Sequence, residues 1–158
     1  MGGAATILSK HQIVCWLLRI SVFVFINSVK AQASLSCPMC VKPIVPSRAV
    51  YAVLSVKGQK HRLKLRCIVC ALNAVKRWQP ETALLRTRCV ATKRWVTFKW
   101  DGDWQSEPKM ARLLIAPEAG NECLHRHLVF ASPSVAHRFV QKRPSLRSFP
   151  LLTIAEVK

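Results

Sequence analysis

The chain has 158 residues, 51% hydrophobic and 20% charged, which excludes a disordered tail and suits one domain or two very small ones. Its 25 Lys and Arg residues against 7 Asp and Glu residues give a formal net charge of +18. That charge favours a polyanionic partner, although a basic solubilising surface is the simpler alternative. So few acidic residues, with no glycine-rich phosphate loop and no Ser/His/Asp pattern, argue against an enzyme.

The N-terminus has the pattern of an export signal. Lys10 precedes an apolar stretch at 13–29, and residues 31–33 read Ala-Gln-Ala, a small-x-small cleavage site. Arg19 interrupts the stretch and argues against a membrane-spanning helix. We therefore predict a signal peptide over 1–33, cleavage after Ala33 and a periplasmic or extracellular protein. An uncleaved anchor is the alternative.

Two CxxC pairs organise the rest of the chain. The first reads Cys-Pro-Met-Cys at 37–40, and the second reads Cys-Ile-Val-Cys at 67–70. Between them, the β-branched run 49–56 and the alternating segment 61–66 predict two strands of a hairpin. The apolar spacing over 67–78 predicts a helix with Cys67 at its N-terminus, where the helix dipole favours a thiolate.

The second half of the chain predicts further strands and one more helix. Residues 82–88 fit either a short strand or a loop, whereas 104–111 is polar and contains Pro108. The four tryptophans after the signal are interpreted as core and cross-strand packing. Ser132 is the predicted N-cap of a helix that starts at Pro133 and ends before Pro144. The remaining predicted segments are strands at 94–100, 112–116 and 123–131, and a last strand or docking segment at 149–157.

This order of elements predicts an α+β fold. We expect a single domain over 34–158, built from two small strand-strand-helix halves at about 34–80 and 90–158. A weak internal repeat would relate the two halves.

Four thiols in two CxxC pairs can hold zinc, bind a soft metal such as Cu(I), or form disulfides. Export favours disulfides, because six cysteines remain after removal of the signal. On the predicted strand at 123–131, Cys123, His125 and His127 share one face and would form a metal half-site. The candidate ligands are Cys37, Cys40, Cys67, Cys70, Met39, Cys123, His125 and His127.

Two stretches together resemble the NosL-like family of nitrous-oxide reductase accessory proteins. One comprises the CPMC segment at 37–40, the hairpin and LRCIVCAL at 65–72; the other runs from LVFASPSVAHRF at 128–139 to LTIAEV at 152–157. The resemblance implies an exported copper-binding protein with two ββα halves that helps to metallate a copper enzyme. Val41-Lys42 stands where the family has Gly-Met.

Three functions therefore compete. The first is an exported accessory protein that binds Cu(I), with zinc as the alternative metal, and delivers it to a copper-receiving protein. The second is a basic structural module stapled by zinc or disulfides, with an acidic partner or a membrane surface; export disfavours nucleic acid. The third is a thiol-disulfide redox protein, which is disfavoured because no βαβ pattern follows the first CxxC.

Overall fold

The computed structural model describes residues 35–116 and 127–157. The predicted signal peptide, Cys123 and His125 lie outside these residues. Within them, two antiparallel sheets and two α-helices form an α+β fold, as the sequence predicts.

The first sheet has five antiparallel strands in the order β2-β1-β3-β4-β5. The predicted hairpin turns at Lys57 and Gly58, whose φ angles of 51° and 73° match the twist of the flanking strands. Residues 82–88, for which the sequence allowed a strand or a loop, form a strand whose residues are alternately exposed and buried. The strands are β1 (Val50–Val56), β2 (Gln59–Leu65), β3 (Thr82–Arg88), β4 (Trp95–Asp101) and β5 (Asp103–Glu107).

Strand β5 was not predicted, because its polar composition hides the alternation. Trp104 and Ser106 face one side, and the positive φ of 80° at Gly102 allows a tight turn back from β4. As an edge strand, β5 exposes its other residues to solvent, so it needs few apolar ones. The first sheet thus extends to Glu107, across the boundary expected between the two halves.

Helix α1 (Ile68–Trp78) packs on the inner side of this sheet. Ile68, Ala71 and Ala74 are fully buried there, because small alanines let the helix approach the strands closely. Leu72 is half-buried and lines a groove of about 310 Å³ with Trp100 and other residues. The helix ends at Gln79, whose φ of 44° is left-handed.

The second sheet has the order β7-β6-β8, with β6 at Arg112–Ile115, β7 at His127–Phe130 and β8 at Leu151–Leu152. Helix α2 (Pro133–Gln141) follows β7, and Ser132 caps it by accepting a hydrogen bond from the backbone N–H of Val135 at 3.3 Å. These bounds confirm the predicted N-cap and first helical residue.

The described residues thus contain two strand-strand-helix units, β1-β2-α1 and β6-β7-α2. Strands β3, β4 and β5 join the sheet of the first unit. A single buried cluster connects α1 and the first sheet to Leu113 of β6 and Val129 of β7. In the described part of the chain, no helix has the length and hydropathy needed to span a bilayer.

The tryptophans take part in core and cross-strand packing. Trp100 and Trp104 form a cross-strand pair with ring centroids 5.4 Å apart, and Trp78 packs edge-on against His61. Trp95 lies on the outer face of the first sheet, where it is 37% exposed and packs across strands against Tyr51, with ring centroids 6.1 Å apart. On β4 it stands at odd spacing from Phe98 and Trp100, so strand alternation places it on the opposite face.

Candidate metal centre

The first CxxC pair lies in a tight turn that aims both sulfurs at one side. The backbone N–H of Cys37 donates to the carbonyl of Lys42 at 2.9 Å, and the N–H of Val41 donates to the carbonyl of Cys37 at 2.8 Å. Val41 closes the turn with a left-handed φ of 59°. Only a turn this tight brings Cys37 and Cys40 to the same point.

The second CxxC pair opens helix α1. Cys67 is the N-cap residue and Cys70 lies in the first helical turn, so both thiols face the same end of the helix. The guanidinium of Arg66 donates to the carbonyl of Pro43 at 2.6 Å. This bond ties the first turn to the end of β2, immediately before Cys67.

These elements bring three thiols together. The Sγ atoms of Cys37, Cys40 and Cys70 all lie within 4.8 Å of one another, close enough to bind a metal ion. The Sγ of Cys67 lies 3.6 Å from that of Cys70, outside the three-thiol group but adjacent to it. For comparison, two thiolates on one tetrahedral zinc ion are about 3.8 Å apart, since each Zn–S bond is about 2.3 Å.

No disulfide joins the cysteines of the described residues. Cys37, Cys40, Cys67, Cys70 and Cys89 are all free, so none of these five supports the disulfide interpretation. Cys89 is buried in a separate turn, where its sulfur accepts a hydrogen bond from the N–H of Thr92 at 3.4 Å.

His127 supports the centre from β7. Its Nδ1 lies 3.6 Å from the Sγ of Cys67, and its Nε2 lies 3.1 Å from the carbonyl oxygen of Ala116. The Ala116 carbonyl only accepts, so Nε2 donates to it; toward a Cys67 thiolate, which also only accepts, Nδ1 must donate as well. A histidine fixed in this way orients the thiol it contacts, as outer partners of metal ligands commonly do.

The contact between Cys67 and Cys70 moves the pKa values of the two thiols in opposite directions. The hydrogen bond from the Cys70 thiol, and secondarily the contact with His127, lowers the pKa of Cys67 to about 4 against the opposing effect of burial. The same hydrogen bond, together with burial, raises the pKa of Cys70. At neutral pH Cys67 is therefore a thiolate and Cys70 a thiol that must lose its proton to bind a metal.

The pKa of Cys37 is also lowered, which favours its use as a metal ligand. Burial is the largest single influence and would raise its pKa, but hydrogen bonds from the backbone of Arg66, Met39 and Cys40 together lower it. The pKa values of two of the four clustered cysteines, Cys37 and Cys67, are thus lowered before any metal binds.

A Cys–His contact also occurs in nucleophilic enzymes. Here the cavity that Cys67 and His127 line has a volume of only about 20 Å³, room for about one water. Cys67 itself is 3% exposed. The geometry therefore suits support of a metal ligand better than attack on a substrate.

The structure brings together five of the eight predicted site residues. Cys37, Cys40, Cys67, Cys70 and His127 form the centre, and Met39 lies within the first turn, partly buried against the core. Cys123 and His125 lie outside the described residues. Sequence reasoning missed the roles of Arg66 and of the Ala116 carbonyl, since a backbone acceptor leaves no signal in a sequence.

No known protein-family profile and no curated protein matches the chain. The resemblance to NosL-like proteins stays a prediction.

Proposed function

We propose that this protein binds one soft metal ion at the cysteine centre and serves as an exported accessory protein that delivers Cu(I) to a copper-receiving protein. The observation that supports this most directly is the group formed by the sulfurs of Cys37, Cys40 and Cys70 within 4.8 Å of one another. The protein is proposed to bind and release metal, not to catalyse a reaction.

The donor set favours Cu(I). Thiolates are soft ligands that select Cu(I), zinc or iron–sulfur clusters. Three sulfurs within 4.8 Å of one another suit a three-coordinate ion, whereas a structural zinc almost always takes four ligands. Cys67 would stand behind this group as a fourth thiolate, held by His127.

The exposure of one sulfur gives a route for release. Cys40 is half-buried, and its neighbour Met39 is a soft thioether that is also partly exposed. An incoming thiol of a partner protein can attack the ion from this side, displacing Cys40 first. The export pattern of residues 1–33 and the NosL-like resemblance support a role outside the cytosol.

A structural zinc site is the second candidate, and burial favours it. The exposed fractions of Cys37, Cys67 and Cys70 are 1%, 3% and 7%. A contraction of the cluster would let Cys67 complete a four-thiolate zinc site. Zinc would then stabilise the fold, and chelation would unfold it.

The first experiment measures metal content and thiol state together. The protein is purified anaerobically and its intact mass, bound copper and zinc, and alkylatable thiols after chelation are determined. We expect near-stoichiometric metal and no loss of hydrogen to disulfides. A metal-free protein with oxidised cysteines would refute the proposal and favour a disulfide scaffold.

The second experiment separates copper from zinc. Cu(I) affinity is measured by competition with a Cu(I) chelator in the parent protein, in Cys37→Ser/Cys40→Ser, and in the control Cys89→Ser, whose thiol lies in a separate turn. Loss of Cu(I) binding only in the double variant supports the copper carrier. Equal Cu(I) affinity in all three, with tight zinc binding and cooperative unfolding on chelation, would replace it with the structural zinc site.

A further inference from the structure

The outer face of the first sheet concentrates positive charge. Strands β1 to β4 contain six Lys and Arg residues and a single acidic residue, Asp101. All six basic residues point away from the core, because their neighbours at odd spacing are the buried residues such as Leu85 and Phe98. We call this surface the cationic sheet face. Its basic residues are Lys60, Arg62, Lys64, Arg86, Arg88 and Lys99.

The register places apolar residues between these cations. Across the sheet, Arg62 lies opposite Val53, Val53 opposite Leu84, and Leu84 opposite Lys99. Leu84 is 38% exposed although it lies in the middle of the face. The row therefore reads cation, apolar, apolar, cation.

The adjacent rows add two exposed aromatic rings. Tyr51 is 41% exposed, and the ammonium of Lys64 lies 5.7 Å from the centre of its ring. The guanidinium groups of Arg86 and Arg88 lie 4.4 and 4.3 Å from the centre of the Trp95 ring. Cations thus cover much of the ring surface.

We propose that the cationic sheet face docks on the surface of an anionic lipid bilayer. Six cations spread over a patch roughly 15 Å across match a plane of lipid headgroups, and Tyr and Trp prefer the interface between headgroups and acyl chains. The apolar centre at Val53 and Leu84 would gain from contact with lipid. This proposal goes beyond metal binding and does not depend on it.

The same features disfavour a single-stranded nucleic acid as the occupant. Bases bind to such sheets by stacking on open aromatic rings. Here guanidinium groups already cover Trp95, and a polar polynucleotide gains little from the exposed Leu84.

The acidic residues indicate how the face would sit on the membrane. Asp101, Asp103 and Glu107 lie at the β4–β5 edge of the sheet, where an anionic surface repels them. The β2 edge, with Lys60, Arg62 and Lys64, would therefore lie closest to the lipid. Helix α1 and its cysteines lie on the opposite, inner side of the sheet and stay uncovered.

The test is vesicle co-sedimentation of the full-length protein. Vesicles of phosphatidylcholine alone are compared with vesicles that also contain phosphatidylglycerol. We expect binding to the anionic vesicles that falls about 100-fold in Lys60→Gln/Arg62→Gln/Lys64→Gln, since each cation near such a surface contributes about five-fold. The charge-matched control Lys76→Gln/Arg77→Gln/Arg138→Gln removes three exposed cations outside this face and should retain most of the binding.

A second variant examines the apolar centre. Leu84→Ser should weaken binding roughly three-fold, and this loss should persist in high salt, which screens only the charges. All variants share residues 1–33, so any contribution of the N-terminus is common to them. Circular dichroism and Cu(I) titration of the same variants should match the parent, which keeps this test separate from that of the metal centre.

Three outcomes would overturn the proposal. One is equal binding to neutral and anionic vesicles, and another is equal loss of binding in the two triple variants. The third is binding of a single-stranded oligonucleotide, lost only in the face variant, without binding to vesicles; it would assign the face to nucleic acid.

Discussion

The Sγ of Cys67 lies 3.6 Å from the Nδ1 of His127, although 60 positions separate these residues in the chain. The contact arises because the first residue of β7 sits beside the N-terminus of α1. The second strand-strand-helix unit therefore contributes directly to a centre whose cysteines all lie between residues 37 and 70. Metal binding and the packing of the two units depend on each other at this point.

His127→Ala should lower Cu(I) affinity by about ten-fold, because the Cys67 thiolate loses the hydrogen bond that orients it. The fold should persist, since the ring is only half-buried. A competition titration with a Cu(I) chelator and a thermal melt measure both effects. His137→Ala, an exposed residue of α2, is the control. Unchanged affinity in His127→Ala would show that the contact does not serve the metal.

Cys40 should be the first thiol of the centre to react with iodoacetamide in metal-free protein, because the other three are buried. Bound metal should protect it. Peptide mass mapping after short exposure, with and without Cu(I), identifies the modified residue. Reaction of Cys40 at the same rate in both states would exclude it as a ligand.

Metal-free protein should become more stable as pH rises from about 5 to 8. The pKa of Cys67 is about 4 in the folded protein against an ordinary value of 9.0, so the unfolded chain binds more protons across this window. The pKa of Cys70 is raised, so its stabilising effect is complete below 9.0 and declines above it. Stability from this pair should therefore peak near the ordinary pKa of a thiol.

Urea denaturation in reducing, chelating buffer measures this dependence. Cys67→Ser should flatten the rise between about pH 5 and 8, and the difference between the two proteins cancels the other titrating groups. Parallel pH profiles would mean that Cys67 is not a thiolate in the folded protein.

Val41→Gly should raise the free energy of unfolding by about 1 kcal/mol, because a β-branched residue is strained in the left-handed region. Val41 is 80% exposed, so little packing is lost. The matched control is Val45→Gly: Val45 is 39% exposed but has an extended φ of −88°, so glycine should destabilise there. Urea midpoints of the two variants that shift in the same direction would argue against strain at Val41.

Much of the fold could be predicted because its signals are local. The β-branched run of β1, the alternation of β2 and the Ser132-Pro133 start of α2 each specify an element within a few residues. Strand β5 was missed because an edge strand buries so little that its sequence resembles a loop. The outer-face position of Trp95 follows from strand alternation, and the two arginines beside it make an aromatic residue stable there.

The cysteine centre was predictable in composition but not in arrangement. CxxC spacing shows that Cys37 and Cys40 converge, and helical spacing shows the same for Cys67 and Cys70. That the two pairs meet depends on the length of the hairpin between them and on the bond from Arg66 to Pro43. That His127 joins them depends on the pairing of β6 with β7, which no local pattern encodes.

The hairpin between the two CxxC pairs has a consequence for the order of assembly. An ion held by both pairs closes a loop of about 30 residues. By the chain-entropy argument for cross-links, the entropy lost by the unfolded chain raises its free energy by about 3.5 kcal/mol. All four thiols lie between Cys37 and Cys70, so this loop can close before β3 has emerged during synthesis or transport. His127 arrives only when the second sheet forms. Binding of the ion and completion of the fold thus become successive steps, and the second step stabilises the metal centre that the first step has formed.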